Sequence, residues 1–230
     1  MKLIFPPLIV LAGILSCGNK NSAIDPALSQ LQSSQKDTFS KGDTLINFQN
    51  SKESNTPIGF LPTFTGKEQT KDWKIVNDGG NNVAAQLATN RGDNYNLLVL
   101  ESPIYKDFKM SVRVKAISGE EDQGGGLVWR FIDNNNYYVA RFNPLESNFR
   151  FYRVVNGSRK QLISESIDIP SKVWFTMSIE MIGNKISCYL NENKMIETTD
   201  DTFIKPGRVG FWTKADAVTY FDDLTISLLK

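Results

Sequence analysis

A set of polar and aromatic side chains in the second half of the sequence has the types and the spacing that could bind a sugar. The set consists of Arg130, Tyr137, Arg141, Asn143, Glu146, Arg150, Trp212, Lys214 and Asp216. Guanidinium and amide groups donate hydrogen bonds in a fixed geometry, and the ring of Trp212 or Tyr137 can stack on a pyranose. An alternative stays open, because the three arginines could instead form a salt-bridge ladder with the two carboxylates and tie adjacent strands together.

The chain has no histidine among its 230 residues. This excludes Ser-His-Asp and Cys-His catalysis, proton transfer by imidazole, and zinc sites that contain histidine. An acid–base reaction would therefore depend on carboxylates, tyrosines or Lys214. The 26 basic residues nearly balance the 25 acidic ones without a long basic run, so the sequence does not have the charge pattern of a nucleic-acid-binding protein.

The N-terminus has the pattern of an export signal. Lys2 precedes an apolar run, 3–15, which is shorter than the about 20 residues that a membrane-spanning helix needs. The end of this run, Ile14-Leu15-Ser16-Cys17, resembles the lipobox of bacterial lipoproteins. The resemblance implies cleavage before Cys17, acylation of that cysteine and, because Gly18 is not aspartate, sorting to the outer membrane. An ordinary secretory signal with a chance cysteine is the alternative.

These features divide the chain into three segments. We predict a lipoprotein signal peptide at 1–16, an acylated cysteine with a flexible tether at 17–44, and one folded domain at 45–230. If Cys17 is acylated, Cys188 has no partner for a disulfide. Cys188 shares a predicted strand face with Ile186 and Leu190, so we expect a buried and unreactive thiol.

From residue 45 onward, short apolar-rich runs alternate with turn residues, as is typical of β-strands. We predict strands at 72–76, 83–88, 96–100, 108–117, 126–131, 137–142, 149–155, 160–163, 174–182, 185–190, 208–213 and 217–227. Asn156-Gly157 is a strong signal for a two-residue hairpin turn. No segment after the tether keeps a helical period, so the fold should be all-β, a two-sheet antiparallel jelly-roll sandwich.

Alternation along these strands separates the core from the surface. The predicted inward set includes Leu127, Trp129, Phe131, Tyr138, Ala140, Phe142, Phe149, Phe151, Val209 and Phe211. The predicted outward set includes Arg130, Tyr137, Val139, Arg141, Asn143, Arg150, Tyr152, Trp212 and Lys214. Trp73, Trp129 and Trp174 have apolar neighbours and are predicted to be core. One sheet surface should therefore carry most of the candidate binding residues.

Several of these strands also carry motifs that are similar to those of a known family. The motifs are Gly125-Gly126-Leu127-Val128-Trp129-Arg130-Phe131, Asn136-Tyr137-Tyr138-Val139-Ala140-Arg141, Gly207-Arg208-Val209-Gly210-Phe211-Trp212-Thr213-Lys214-Ala215-Asp216 and Phe221-Asp222-Asp223-Leu224. Together they resemble the concanavalin A-like lectin/glucanase superfamily, and within it the bacterial 3-keto-disaccharide hydrolase domains. The resemblance covers roughly 45–230 and implies a sandwich fold, whose members include lectins, glycosidases and adhesion modules.

The resemblance does not by itself imply catalysis. Retaining glucanases of the superfamily carry the pattern E-x-D-x-x-E, and the nearest match, which begins at Glu120, has Gly125 in place of the second glutamate. The 3-keto-disaccharide branch implies an acid–base group together with a metal. Glu146 could be that base, but flanking arginines should lower its pKa and weaken it.

Calcium binding is the less favoured interpretation of two acidic segments. Asp222-Asp223 or the loop Glu120-Glu121-Asp122 could hold one, although turn capping and solvation explain them better. We predict no other cofactor.

The sequence therefore predicts a lipid-anchored protein of the bacterial cell envelope that binds carbohydrate or acts in adhesion without catalysis. One alternative is a hydrolase or lyase that acts on 3-keto-glycosides. The other is a surface lipoprotein that recognises an envelope or host protein.

Overall fold

The computed structural model describes residues 43–67 and 70–229. The predicted signal peptide, Cys17 and nearly all of the predicted tether lie outside the described residues. The described part of the chain folds into strands joined by turns and loops, and none of it forms a helix long and apolar enough to cross a membrane.

Within the described residues, fifteen antiparallel strands form two sheets. The eight-stranded sheet contains β1 (Thr44–Ile46), β3 (Trp73–Asp78), β4 (Asn81–Gln86), β6 (Phe108–Ser118), β11 (Phe175–Ile182), β12 (Lys185–Leu190), β13 (Asn193–Thr199) and β15 (Val218–Leu228). The seven-stranded sheet contains β2 (Phe60–Thr65), β5 (Tyr95–Leu100), β7 (Gly125–Asp133), β8 (Asn136–Asn143), β9 (Asn148–Val155), β10 (Ser158–Ser166) and β14 (Arg208–Lys214). The predicted all-β sandwich is confirmed.

The sequence-based assignment missed three strands, β1, β2 and β13. Strand β2 contains Pro62, and β13 begins with the polar pair Asn193-Lys194. Proline cannot donate to a sheet ladder and is tolerated at an edge, and β2 is an edge strand of the seven-stranded sheet. Strands β1 and β13 have weak alternation because most of their residues are exposed or half-buried.

A large apolar core lies between the sheets. It contains the predicted inward residues apart from Phe131, and aromatic rings from both sheets meet in it. The rings of Phe211 on β14 and Phe221 on β15 stack with their centroids 4.6 Å apart. Cys188 is fully buried in this core, and burial raises the pKa of its thiol, as the prediction of an unreactive cysteine requires.

The regular alternation fails at a β-bulge in β7. The backbone of Arg130 has a positive φ of 51°, and the pairing of β7 with β8 shifts between Trp129 and Asp133. A bulge of this kind turns the following residues to the opposite face of the strand. As a result, Phe131 lies on the outer face, where its ring is 5.9 Å from that of Tyr137, and not in the core as predicted.

Arg130 is correspondingly displaced from the outer face. It is fully buried and donates hydrogen bonds to the carbonyl oxygen of Tyr105 at 3.2 Å and to that of Gly183 at 3.3 Å. Gly183 lies in the turn between β11 and β12, which belong to the other sheet. The prediction that Arg130 faces outward is therefore wrong, and its guanidinium links the two sheets.

Trp174 is also placed differently from the prediction. It is half-buried, with the guanidinium of Arg113 4.8 Å and the ammonium of Lys115 5.0 Å from its ring. Its indole N–H donates to Asp78 at 3.2 Å. Cations stack favourably on an indole face, so this tryptophan packs under polar side chains of the eight-stranded sheet and not in the core.

The outer face of the seven-stranded sheet is concave. Thr63 on β2 donates to the side chain of Asn134 at 2.7 Å, and the hydroxyls of Thr65 and Tyr137 are 2.8 Å apart. Strands β2 and β8 are four positions apart in the sheet, which is roughly 19 Å on a flat surface. Such short side chains cannot span that distance, so the sheet curls until these two corners meet.

Two glycines permit this curvature. A Cβ atom on Gly126 would lie 1.9 Å from the carbonyl oxygen of Ala140, and one on Gly210 would lie 2.2 Å from that of Leu98. Any larger residue would force these neighbouring strands apart. The glycines therefore allow the backbones to approach where the sheet bends.

Candidate functional site

The floor of the concave face is apolar. It consists of Tyr95, Leu97, Val99, Val128, Phe131, Tyr137, Val139, Tyr152, Val154 and Trp212, all buried. We call the place where β2 meets the turn between β7 and β8 the closed corner. Tyr137 bonds Thr65 there and Phe131 packs on Tyr137, so the closed corner covers this part of the floor. Any ligand would have to approach from the opposite part, where the polar side chains are.

We call that opposite part the polar mouth. It is formed by Asp122, Arg141, Asn143, Glu146, Arg150 and Lys214. Strand β8 supplies Arg141 and Asn143 from its final residues, and β14 supplies Lys214 from its own end. The pairing of the strands brings these ends together, so the sheet register positions the cluster.

Glu146 lies between the two arginines of the mouth. One oxygen, Oε2, accepts hydrogen bonds from Arg141 at 2.8 Å, Arg150 at 2.9 Å and Asn148 at 3.1 Å. Partial burial by itself would raise the pKa of Glu146, but the bonds from Arg141 and Asn148 and the two positive charges outweigh it and lower the pKa to about 2. Glu146 is therefore ionised and is too weak a base for catalysis at neutral pH.

Asp122 has the opposite electrostatic environment. It is 2 % exposed, its Oδ1 accepts a bond from Asn143 at 3.1 Å, and its Oδ2 lies 3.6 Å from the Lys214 ammonium. Burial raises the pKa of Asp122, and the charges of Arg141 and Lys214 only partly offset that rise. A carboxyl group in this position can exchange a proton closer to neutral pH than an exposed aspartate can.

Asp216 is used for structure and not for ion pairing with the arginines. Its carboxylate accepts hydrogen bonds from the backbone N–H groups of Glu120 at 2.7 Å and of Asp122 at 3.0 Å. It also accepts one from Glu121, and these bonds lower its pKa against the opposing effect of burial. Asp216 thus fixes the loop that carries Asp122.

Arg159 crosses the concave face from the edge strand β10. Its guanidinium lies 4.8 Å from the ring centroid of Tyr95, 4.6 Å from that of Tyr152 and 5.7 Å from that of Trp212. Arginine stacks well on aromatic faces, so three rings hold this one charge. The contact also explains why Trp212 is fully buried although it belongs to the outer face.

The structure brings together five of the residues predicted from sequence. Arg141, Asn143, Glu146, Arg150 and Lys214 form the polar mouth. The other four lie elsewhere: Arg130 is between the sheets, Tyr137 is under the closed corner, Trp212 is beneath Arg159, and Asp216 supports a loop. Of the predicted salt-bridge ladder, only the Arg141–Glu146–Arg150 part forms.

Sequence reasoning missed Asp122 and Arg159 as site residues. Asp122 was grouped with a charged loop, although it lies three residues before the glycine-rich start of β7, where a buried polar group can support a strand end. Arg159 follows the Asn156-Gly157 hairpin, and its pairing with Val154 places it on the outer face. Alternation along β10 could have placed Arg159 on the outer face. It could not have predicted that the side chain extends across the sheet to Tyr95 and Trp212.

A cleft adjoins the polar mouth on the side of Asp122. It has a volume of about 480 Å³ and is lined by Thr89, Arg91, Glu120, Glu121 and Asp216. A second cleft, of about 520 Å³, lies on the outer face of the eight-stranded sheet around Tyr189. Both volumes fall within the range of small-ligand sites.

The described residues do not assemble a donor set for the metal that the family resemblance implied. No group of three or more Asp, Glu or Cys side chains within 43–67 and 70–229 could hold a metal ion. Asp222 accepts from Asn81 at 2.8 Å, and Asp223 pairs with Arg113 at 3.4 Å, so protein groups already engage both. We therefore derive no chemistry through a metal.

Comparisons with solved structures show the same fold at low identity. A carbohydrate-binding module from Bacillus subtilis matches with 19% identity and a TM-score of 0.59, covering 74% of this chain and 96% of that one. A B. subtilis protein of unknown function with a galectin-like fold matches with 8% identity and a TM-score of 0.55, covering 74% and 89%. Domain 4 of an extracellular arabinanase from Geobacillus stearothermophilus, solved with arabinotriose, matches with 13% identity and a TM-score of 0.51, covering 82% and 94%.

Sequence comparison identifies the family. Among curated proteins, none matches this sequence. The profile of one family matches residues 59–227, which include all the strands of the seven-stranded sheet and the whole polar mouth. The resemblance to 3-keto-disaccharide hydrolase domains is thereby confirmed, and this chain belongs to the family of 3-keto-alpha-glucoside-1,2-lyase-like domains.

Proposed function

We propose that this domain binds carbohydrate at the polar mouth of the concave face, as a non-catalytic module. The observation that carries the proposal is the combination of buried and exposed polar groups there. The side chains of Asp122 and Arg141 are at most 3 % exposed, whereas those of Arg150 and Glu146 are 28 % and 41 % exposed. Buried partners thus hold the outer groups in place, ready to bond sugar hydroxyls at little entropic cost.

Two further observations support a sugar of modest size. The adjoining cleft of about 480 Å³ extends the mouth and adds the polar side chains of Arg91, Glu120 and Glu121. The similarity in fold to a carbohydrate-binding module points to the same class of ligand.

A glycan array with the full-length chain in detergent, followed by calorimetry on each hit, tests the proposal. We expect Lys214→Ala and Arg150→Ala each to weaken binding about tenfold, because each removes one charge-assisted hydrogen bond. Tyr189→Ala, in the cleft of the other sheet, is the matched control and should bind as the wild type does.

Two results would contradict the proposal. Loss of binding in Tyr189→Ala but not in Lys214→Ala would place the sugar on the eight-stranded sheet. A blank array from a protein with the circular dichroism of a folded β-sandwich would favour the protein-binding alternative.

A second candidate function is elimination on a 3-keto-α-glucoside, and Asp122 favours it. The ketone acidifies the proton on C2, and a carboxylate with a raised pKa is a stronger base for that proton than an ordinary aspartate. The electron pair then forms a C1–C2 double bond as the C1–O bond breaks. The Lys214 ammonium, 3.6 Å from Asp122, can supply the proton that the departing oxygen needs.

Incubation of the protein with a 3-keto-α-glucoside tests this second candidate. If it is right, a 2-hydroxy-3-keto glycal and the free aglycone should accumulate, and Asp122→Asn should lower the rate at least about 100-fold. Glu53→Gln, at an exposed carboxylate between β1 and β2, is the control. A protein that binds the glycoside without turning it over would refute this second candidate and would support the binding function.

We also propose that Cys17 carries lipid and anchors the domain to the outer membrane of the cell envelope. The support is the sequence pattern at 14–18 and the apolar run before it.

A further inference from the structure

Arg159 is a cation on the concave face without a counter-ion among the described residues. The two carboxylates of the polar mouth are already engaged, since Glu146 bonds Arg141 and Arg150 and Asp122 faces Lys214. The two carboxylates of the polar mouth are therefore shared by four cationic side chains, those of Arg141, Arg150, Lys214 and Arg159. Positive charge therefore exceeds negative charge among these six side chains, and Arg159 forms no ion pair with a described carboxylate.

Among the described residues, three buried guanidinium nitrogens have no acceptor, and apart from Nε of Arg130, which lies between the sheets, two of them belong to the concave face. They are Nη1 of Arg159 and Nε of Arg141, and both atoms are shielded from solvent. A buried donor without an acceptor has lost its bonds to water without a replacement, which destabilises the unliganded protein. Arg141 is 1 % exposed and its other two nitrogens bond the mouth residues, so its free donor belongs to the same cluster.

Arg159 and Arg141 both lie near the ring of Tyr152. The guanidinium carbon of Arg159 lies 4.6 Å and that of Arg141 5.9 Å from the centroid of Tyr152. The charge of Arg159 acts on Asp122 in the polar mouth and also on Tyr137, so its guanidinium lies within electrostatic reach of the mouth. Both donors therefore border the region in which we place the sugar.

We propose that the saccharide bound at the polar mouth carries an anionic group, a uronate carboxylate or a sulfate ester, which Arg159 recognises. This inference rests on the proposed carbohydrate-binding function. Oxygen anions accept two parallel bonds from a guanidinium, and Arg159 is only half-buried, so such a group can bond the part of its guanidinium that reaches solvent. The neighbouring cleft carries Glu120 and Glu121, so the anionic group lies on the Arg159 side of the mouth and the neutral hydroxyls lie towards that cleft.

Paired ligands that differ only in charge test the proposal. Calorimetry with the full-length chain in detergent would compare a uronic acid oligosaccharide with its methyl ester, and a sulfated oligosaccharide with its desulfated form. We expect one acidic form to bind about tenfold more tightly than its neutral partner, as one charge-assisted pair would give. The pair that shows the preference identifies the anionic group.

Variants at Arg159 assign the preference to this residue. Arg159→Gln removes the charge and should make the acidic and neutral forms bind equally, whereas Arg159→Lys keeps the charge and should retain part of the preference. Lys160→Gln is the matched control, because Lys160 is the adjacent exposed cation on β10 and should leave the preference unchanged. Circular dichroism and thermal melting establish that each variant is folded.

Three results would overturn the proposal. Equal binding of acidic and neutral forms by the wild type would refute it and leave the carbohydrate-binding function standing. A preference that survives in Arg159→Gln would move the recognition to another residue. If the folded protein binds none of the four oligosaccharides, the anionic ligand is rejected. If a neutral glycan still binds on the array in that case, the proposed carbohydrate-binding function holds.

Discussion

At the scale of single residues, two carboxyl groups in one cluster have opposite properties. Glu146 is partly exposed, accepts bonds from two arginines and has a lowered pKa, whereas Asp122 is buried and has a raised pKa. The difference arises from environment, since solvent and two guanidinium groups favour the charge of Glu146 while burial disfavours that of Asp122. Glu146 therefore organises the arginines, and Asp122 is the group that can exchange a proton.

Glu146→Gln should destabilise the domain at neutral pH. Because its pKa falls from 4.5 to about 2 on folding, the ionised carboxylate stabilises the native state above pH 4.5, and this stabilisation is lost as the pH falls towards 2. Solvent screens a side chain that is 41 % exposed, so we expect a loss of about 1 kcal/mol at pH 7. Urea denaturation at pH 7, 4 and 2.5 measures it.

The control for this prediction is Glu165→Gln, which changes the same group at an exposed position on β10. It should leave stability unchanged at each pH. A loss in Glu146→Gln that stays constant down to pH 2.5 would show that packing, and not the charge of Glu146, stabilises the fold.

At the scale of elements, the bulge in β7 decides which side chains reach the site. It moves Phe131 outward and Arg130 inward, and it gives the buried guanidinium backbone acceptors in two separate segments, at Tyr105 and Gly183. Arg130 therefore has a structural role that connects the sheets, although its position in the sequence suggested a ligand contact.

Arg130→Ala should reduce the free energy of unfolding by about 3 kcal/mol, since it removes two charge-assisted hydrogen bonds and opens a cavity. Urea denaturation measures the loss. Arg91→Ala, at an exposed arginine, should cost less than about 0.5 kcal/mol. An Arg130→Ala protein as stable as the wild type that no longer binds sugar would restore the original interpretation of Arg130 as a ligand residue.

At the scale of the whole molecule, the curled seven-stranded sheet presents its polar mouth while its opposite corner is closed. The corner closes through Thr63 and Thr65 on β2, which bond the turn between β7 and β8. A lipid at Cys17 would hold this domain at a membrane surface, with 26 residues (18–43) between the cysteine and β1. A tether of that length would let the mouth meet ligands in the envelope.

Cys17→Ser should abolish lipid attachment. In cells fed an alkyne analogue of palmitate, the wild-type chain should be labelled and should sediment with outer membranes, because several acyl chains anchor a protein stably. The variant should be unlabelled and should leave the membrane fraction. Cys188→Ser, at the buried thiol, is the control and should remain labelled. Labelling that persists in Cys17→Ser would refute the lipobox.

The amino-acid sequence was enough to predict the class of fold and five of the seven residues of the site. Alternation of apolar and polar residues is a local property with a period of two, so it predicted the strands and the outward orientation of Arg141, Arg150 and Lys214. The Asn156-Gly157 turn was equally local, and both residues have the positive φ that its hairpin needs. The missing histidines excluded whole classes of catalysis without any structure.

Only the tertiary structure decided which of those residues meet. The bulge at Arg130 breaks the period of two, and no local pattern announces it. Sheet curvature brings Arg159 from one edge strand over rings on distant strands, which is a consequence of long-range pairing. The pKa of Asp122 likewise depends on burial, a property that arises only when separate segments of the chain pack together.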